Sequence, residues 1–308
     1  MSKTALLFAG QGAQAVGMGK DLYDTNDAAR AVFQMGESIR PGTLKTCFEG
    51  PGDVLTLTEN TQPCLFLTDL ACARALEAAG LKADAAAGFS LGEIPALAYA
   101  KVLSDSDAFR LVVTRGETMS ECAKAHPGSM AAVLKLDNCA VEEVCGHFNN
   151  VYPVNYNCPG QLACAGAADE IDAFCDEIKK LGGRAVKLAV SGAFHTPFML
   201  PATEALEKTL AGMTLSSPSV PIYSNTTGEP YPESASEIAK TVVGQASNSV
   251  RWESIIRNMY AAGVDTFIEV GAGSTLSGLV KRILPEDVKI LRVGDAASLE
   301  DTIRALGL

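Results

Sequence analysis

The chain has 308 residues, 47% hydrophobic and 20% charged, which excludes a disordered polymer and suits one large α/β fold with room for a smaller insertion. A formal net charge of −11 argues against non-specific nucleic-acid binding, and no run of about 18 apolar residues offers a membrane span. Nine cysteines, odd in number and without CxxC pairs, support neither a disulfide framework nor a zinc site, so reduced structural thiols in a cytoplasmic protein are expected.

Residues 1–20 lack a basic stretch followed by a signal core. Residues 4–8 read as a short buried strand running into the glycine loop Ala9-Gly10-Gln11-Gly12-Ala13-Gln14. Helical patterns follow over 26–38 and 65–79, then a small-residue strand over 84–88 and a helix over 91–100, with Pro95 expected to distort its second turn. Ser104 is placed to cap a long helix to about residue 125, with Asp105 and Asp107 in its favourable first turn. Ala108, Leu111, Val112, Arg115, Met119 and Cys122 share one face of that helix, which puts an arginine on an apolar stripe. Such an arginine pairs with an internal acid, or reaches the rim along its aliphatic stem.

Residues 129–190 change rhythm to strand, helix, strand, strand, helix, strand, the ferredoxin-like order. His126-Pro127-Gly128 and Ser191-Gly192-Ala193 bound them, so residues 126–196 read as an inserted small domain and residues 1–125 with 197–308 as the large one. Beyond it come a helix over 197–213, a strand over 220–224, helices near 234–247 and 252–262, and a strand over 266–270. A Gly-Ala-Gly turn, a helix over 275–283, a strand over 288–293 and a last helix complete the chain. Strands alternating with helices predict a parallel sheet covered on both faces.

Within this frame Gly88-Phe89-Ser90-Leu91-Gly92-Glu93 lies between a strand and a helix, and a serine flanked by glycines two residues away on each side is the pattern of a nucleophile elbow. Ser90 followed by Glu93 is also a capping box, which needs no chemistry. A nucleophilic serine needs a base, and the chain has three histidines. His147 sits at a polar helix end and His126 before a Pro-Gly turn, whereas His195 falls at the edge of the insertion, where clefts form. His195 is therefore the candidate base by elimination.

Gly10-Gln11-Gly12-Ala13-Gln14, Thr61-Gln62-Pro63, the Ser90 hexapeptide, Arg115-Gly116, Asn157-Cys158-Pro159-Gly160-Gln161, Phe194-His195 and Gln245 with Val250-Arg251-Trp252 occur in one order along the chain. In that order they resemble the malonyl-CoA:acyl carrier protein transacylases of fatty acid biosynthesis, over essentially the whole length. The resemblance implies an α/β-hydrolase-like large domain with a ferredoxin-like insertion. It implies transfer of malonyl from malonyl-CoA, through an acyl-Ser90 intermediate, to the phosphopantetheine thiol of holo acyl carrier protein. It makes His195 the base, later the acid, oriented by a backbone carbonyl at Gln245 in place of the aspartate of a triad. The N–H groups of Gln11 and Leu91 become the oxyanion hole, and Arg115 the holder of the malonyl carboxylate. Gln62, Asn157 and Phe194 become substrate-binding residues, Phe194 excluding a methyl branch.

No metal or organic cofactor is implied, and a monomer that binds neither nucleic acid nor membrane is expected. Phe89, where the family commonly has histidine, and Pro95 depart from the pattern. Carrier proteins are acidic, so this acidic chain needs a basic patch at the cleft mouth. Lys187, Lys281 and Arg282 are candidates from position, with solvated surface charge as their alternative reading. Three other functions share parts of this pattern: a polyketide-pathway acyltransferase, a serine esterase and a non-catalytic malonyl-CoA sensor. Against the esterase, more than a hundred residues follow the last histidine, His195.

Overall fold

The computed structural model describes residues 2–190 and 192–308, so Ser191 at the predicted end of the insertion lies outside the described residues. In chain order the elements are β1 (Lys3–Phe8), α1 (Lys20–Thr25), α2 (Asp27–Ile39), α3 (Thr43–Glu49), α4 (Gly52–Thr56), α5 (Thr58–Ala78), β2 (Ala85–Gly88), α6 (Glu93–Tyr99) and α7 (Asp105–Ala125). They continue with β3 (Gly128–Leu134), α8 (Asn138–Cys145), β4 (Val151–Cys158), β5 (Gln161–Ala167), α9 (Ile171–Lys180) and β6 (Arg184–Lys187). The last are α10 (Leu200–Leu210), β7 (Ile222–Tyr223), α11 (Ala235–Gly244), α12 (Trp252–Ala261), β8 (Val264–Val270), α13 (Thr275–Ile283), β9 (Lys289–Val293) and α14 (Ala296–Leu306).

Two sheets result. The first is parallel, in the order β7-β2-β1-β8-β9, as the strand-helix alternation predicts. The second is antiparallel, β4-β5-β3-β6, the strand order of a ferredoxin-like unit. One face of the antiparallel sheet packs Ala131, Val133, Leu162 and Cys164 against Val141 and Val144 of α8 and Phe174 and Ile178 of α9. Its other face sends Met130, Val154, Ala163 and Ala165 into the main core. That alternation along each strand joins the two sheets into one body. A backbone bridge reinforces the seam: Val250 N–H donates to Val154 O and Tyr156 N–H to Val250 O (2.7 and 2.9 Å).

The helix cap at Ser104 forms, with its Oγ accepting the Asp107 N–H at 3.0 Å, and every named residue of the α7 stripe is buried, Arg115 included. Helix α5 starts at Thr58, seven residues earlier than expected, and keeps Pro63 inside it. Almost its whole circumference is buried, so no polar-to-apolar change marks its start. The short helices α1, α3 and α4 had no sequence reading; at five to seven residues they are too short for periodicity to register. Strand β7 shrinks to two residues because Pro221 has no N–H to donate. Strand β6 stops at Lys187, after which the Val190 N–H turns back onto Leu188 O. Residues 197–199 and 245–247 form 3₁₀ turns in place of regular helix.

Candidate active site

Strand β2 runs beside β1 with Phe8 opposite Gly88, and the Phe89 N–H donates to Phe8 O at 3.0 Å. The chain then reverses through Ser90, whose φ of +54° lies in the left-handed region. A Cβ on Gly88 would lie 1.9 Å from the Gly92 carbonyl atoms, and one on Gly92 would lie 2.2 Å from Phe8 O. Both glycines are therefore steric requirements of the turn, which is the elbow. The capping-box reading fails: Ser90 makes no side-chain cap, and Glu93 faces away, with its Oε1 accepting from Tyr231 O–H (2.7 Å) and Asn225 N–H (3.2 Å). Nor does Pro95 distort a second turn. A 3₁₀ turn over Ser90–Gly92 moves the start of α6 to Glu93, so Pro95 falls in the first turn, where N–H groups have no partner within the helix.

Ser90 Oγ lies 2.7 Å from His195 Nε2, across 105 residues of sequence. His195 is 4% exposed and itself has a φ of +64°. Its Nδ1–H donates to Gln245 O (3.2 Å) and Asn248 O (3.0 Å), which leaves the Nε2 lone pair for the serine proton. Gln245 thus contributes the carbonyl expected of it, and Asn248 adds a second that no motif indicates. Burial, then the charge of Arg115, push His195 down from its ordinary 6.5 to about 4 against the pull of the two carbonyls. His195 is therefore neutral and able to accept a proton at pH 7. Acylation of Ser90 is expected to hold its rate down the acid side until about pH 4, measured as kcat/KM against pH. An acid limb near the ordinary 6.5 would contradict this environment.

Arg115 is fully buried. Its Nη1 donates to Gln62 Oε1 (2.8 Å), and its Nη2 to Gln245 Oε1 (2.8 Å) and Ser90 Oγ (3.2 Å). Neither sequence-level explanation holds: it reaches no rim, and no carboxylate lies within ion-pair distance of it among the described residues. Two neutral amides hold a buried cation, whose Nε has no partner among the described residues and whose pKa burial lowers to about 10, so it stays charged at pH 7.

The elbow is tied down by a residue that sequence reading missed. Asn225, just after β7, accepts the Ser90 N–H through Oδ1 (2.7 Å) and donates through Nδ2 to Gly88 O (2.6 Å). The N–H groups of Gln11 and Leu91 have no acceptor among the described residues.

A cavity of about 80 Å³ opens over the dyad, lined by Gln62, Phe89, Met119 and Phe194. Through Gln11, Phe89, Asn155 and Leu188 it joins a second of about 240 Å³ that passes Asn157 and Gln161 toward α13. Phe89 lines both, its ring packed edge-on to Trp252 at 5.4 Å. Asn155 and Asn157 each leave a buried Oδ1 beside this channel without a partner among the described residues. Among the proposed basic residues, Arg282 donates to Gln161 at the channel's lining, and Lys281 neighbours it on α13. Lys187 does not join them: it ion-pairs with Asp172 of α9, while the next residue, Leu188, lines the channel, as strand alternation requires.

An elbow serine, a carbonyl-oriented histidine and a buried arginine on a parallel sheet with a ferredoxin-like unit define the acyltransferase class, and the profile of the Acyl transferase domain family matches residues 5–299. The chain is 39% identical over 312 residues to a malonyl CoA-acyl carrier protein transacylase of Bacillus subtilis, covering 99% of this chain and 98% of the relative. It superimposes on a malonyl CoA-acyl carrier protein transacylase from Clostridium perfringens with a TM-score of 0.94 at 37% identity, covering 99% and 98% of the two chains. A malonyl-transacylase solved in complex with a holo type II PKS acyl-carrier protein gives 0.94 at 32% identity, covering 99% and 100%. The chain belongs to the malonyl CoA-acyl carrier protein transacylase family.

Proposed function

We propose that this protein moves malonyl groups from malonyl-CoA to holo acyl carrier protein, supplying extender units for fatty acid biosynthesis. The observation that carries the reading is the buried guanidinium of Arg115, 3.2 Å from Ser90 Oγ and with no carboxylate at ion-pair distance among the described residues. A fixed cation beside a nucleophile awaits an acyl group that brings its own carboxylate, which a planar guanidinium holds with two hydrogen bonds.

In the proposed cycle Ser90 Oγ attacks the thioester carbonyl while its proton passes to His195 Nε2. The oxyanion is held by the N–H groups of Gln11 and Leu91, donors worth about 2.7–4 kcal/mol each in such sites. Collapse breaks the C–S bond, and His195 protonates the departing CoA thiolate. The phosphopantetheine thiol of the carrier then gives its proton to His195 and attacks the malonyl ester, and the same proton restores Ser90. Atoms balance with serine, histidine and two thioesters alone, so no metal or organic cofactor enters the proposal. Gln62 steadies Arg115, Phe194 narrows the acyl cavity, and Asn157 lines the path for the pantetheine arm. The protein would act as a cytoplasmic monomer, a compartment whose reducing conditions suit nine free cysteines.

Intact-protein mass spectrometry tests this directly: malonyl-CoA should add one malonyl mass, and holo carrier protein should remove it. An adduct that forms but is not discharged by any carrier would refute the acceptor. The solved relative in complex with a type II PKS carrier favours one second reading, supply of a polyketide pathway, for which only a carrier of that class would discharge the adduct.

Docking of the acidic carrier is assigned to Lys281 and Arg282. Replacing both with alanine is expected to raise KM for the carrier about three- to tenfold at low salt, with malonyl adduct formation little changed. An unchanged KM would remove the patch from the proposal.

A further inference from the structure

Glu93 lies directly behind the site. It opens α6, three residues after the nucleophile, and is 1% exposed. Its Oε1 accepts from Tyr231 O–H and Asn225 N–H, and its Oε2 has no hydrogen-bond partner among the described residues. Asn225 is the residue that grips the elbow on both sides of Phe89, and Gln245, whose Oε1 accepts from Arg115, also donates through Nε2 to Ser90 O. The groups acting on the Glu93 charge are Tyr231, the Asn225 backbone, the Gln245 amide and, more remotely, Arg115. The charge of Glu93 in turn favours the ionised form of buried Arg115, without direct contact between the two.

We propose that Glu93 is a positioning residue whose carboxylate competes with the malonyl carboxylate for the field of Arg115, so that a carboxylated acyl chain binds together with a proton on Glu93. This rests on the malonyl reading above. An incoming malonyl carboxylate places a second anion near Arg115, among buried groups where charges are weakly screened. Of the two, Glu93 carries the unpartnered oxygen and takes up the proton. Burial already lifts Glu93 from 4.5 to about 7, within reach of ordinary conditions. An acyl group without a carboxylate has no such linkage.

The test is KM and kcat for Ser90 acylation from about pH 5.5 to about pH 9, with malonyl-CoA and acetyl-CoA, on the full chain and its Glu93→Gln variant. For the unmodified protein, KM for malonyl-CoA is expected to rise about tenfold as pH passes through about 7, while KM for acetyl-CoA stays flat. Glu93→Gln should hold the low malonyl KM throughout. A malonyl KM that varies with pH in the variant as it does in the parent overturns the proposal. Tyr231→Phe supplies a second arm should Glu93→Gln not fold. Loss of a hydrogen bond to the ionised carboxylate moves the rise in KM to higher pH, and an unmoved rise counts against the proposal. A malonyl adduct with a pH-independent KM would sink this inference alone, whereas the absence of any malonyl adduct on Ser90 would sink the function as well.

Discussion

Ser90→Ala is expected to abolish the malonyl adduct on the intact protein and to lower transfer to carrier by about 10⁶-fold, the scale on which serine-histidine sites lose rate without their nucleophile. Ser90 Oγ is the atom that meets both His195 Nε2 and Arg115 Nη2, and its backbone is held by Asn225, so no neighbouring hydroxyl can take its place. Alanine also relieves little strain, because the φ of +54° is set by the glycine crossings at Gly88 and Gly92. The variant should therefore fold, and thermal unfolding separates a silent site from a lost one. A malonyl adduct that persists on a folded Ser90→Ala protein would mean that another residue is the nucleophile.

Arg115→Ala is expected to lower kcat/KM for malonyl-CoA by about 10²–10³-fold while changing that for acetyl-CoA less than about tenfold, which reverses the preference between the donors. Gln62 and Gln245 cannot compensate, since each presents its amide oxygen to the guanidinium and would present that same oxygen to a carboxylate. A second signature follows from charge. Arg115 is, after burial, the main cause of the low His195 pKa, so its removal should move the acid limb of the rate upward from about 4 toward 6.5. Competition between malonyl- and acetyl-CoA, read as the ratio of the two adduct masses, decides the first effect. Unchanged selectivity would return Arg115 to a purely structural role.

What could be read in advance was what side chains and sterics encode. The elbow was legible because only glycine tolerates the approaches at positions 88 and 92, and Arg115 because a charge interrupts an apolar stripe of α7. His195 emerged by elimination. Asn248 was invisible for a physical reason: it acts through its carbonyl, which every residue type possesses. Asn225 lies after a two-residue strand that a proline truncates, too short to place it against the elbow. Glu93 misled because capping boxes and buried networks use the same residue at the same spacing, and only the direction of the side chain distinguishes them. Lys187 was misplaced by one residue of strand alternation, which sends it to α9 and gives the channel to Leu188.

The dyad spans the seam between two sheets, with Ser90 held from the parallel one and His195 at the close of the excursion that builds the antiparallel one. Its 2.7 Å bond is thus a gauge of how the halves are set against each other, and a misplacement of about 1 Å can cost about 10²-fold in rate. Mild heat or denaturant that loosens the seam should silence the enzyme while both sheets are still intact. Substitutions along the Val154–Val250 bridge, which touch no reacting atom, become a throttle on turnover.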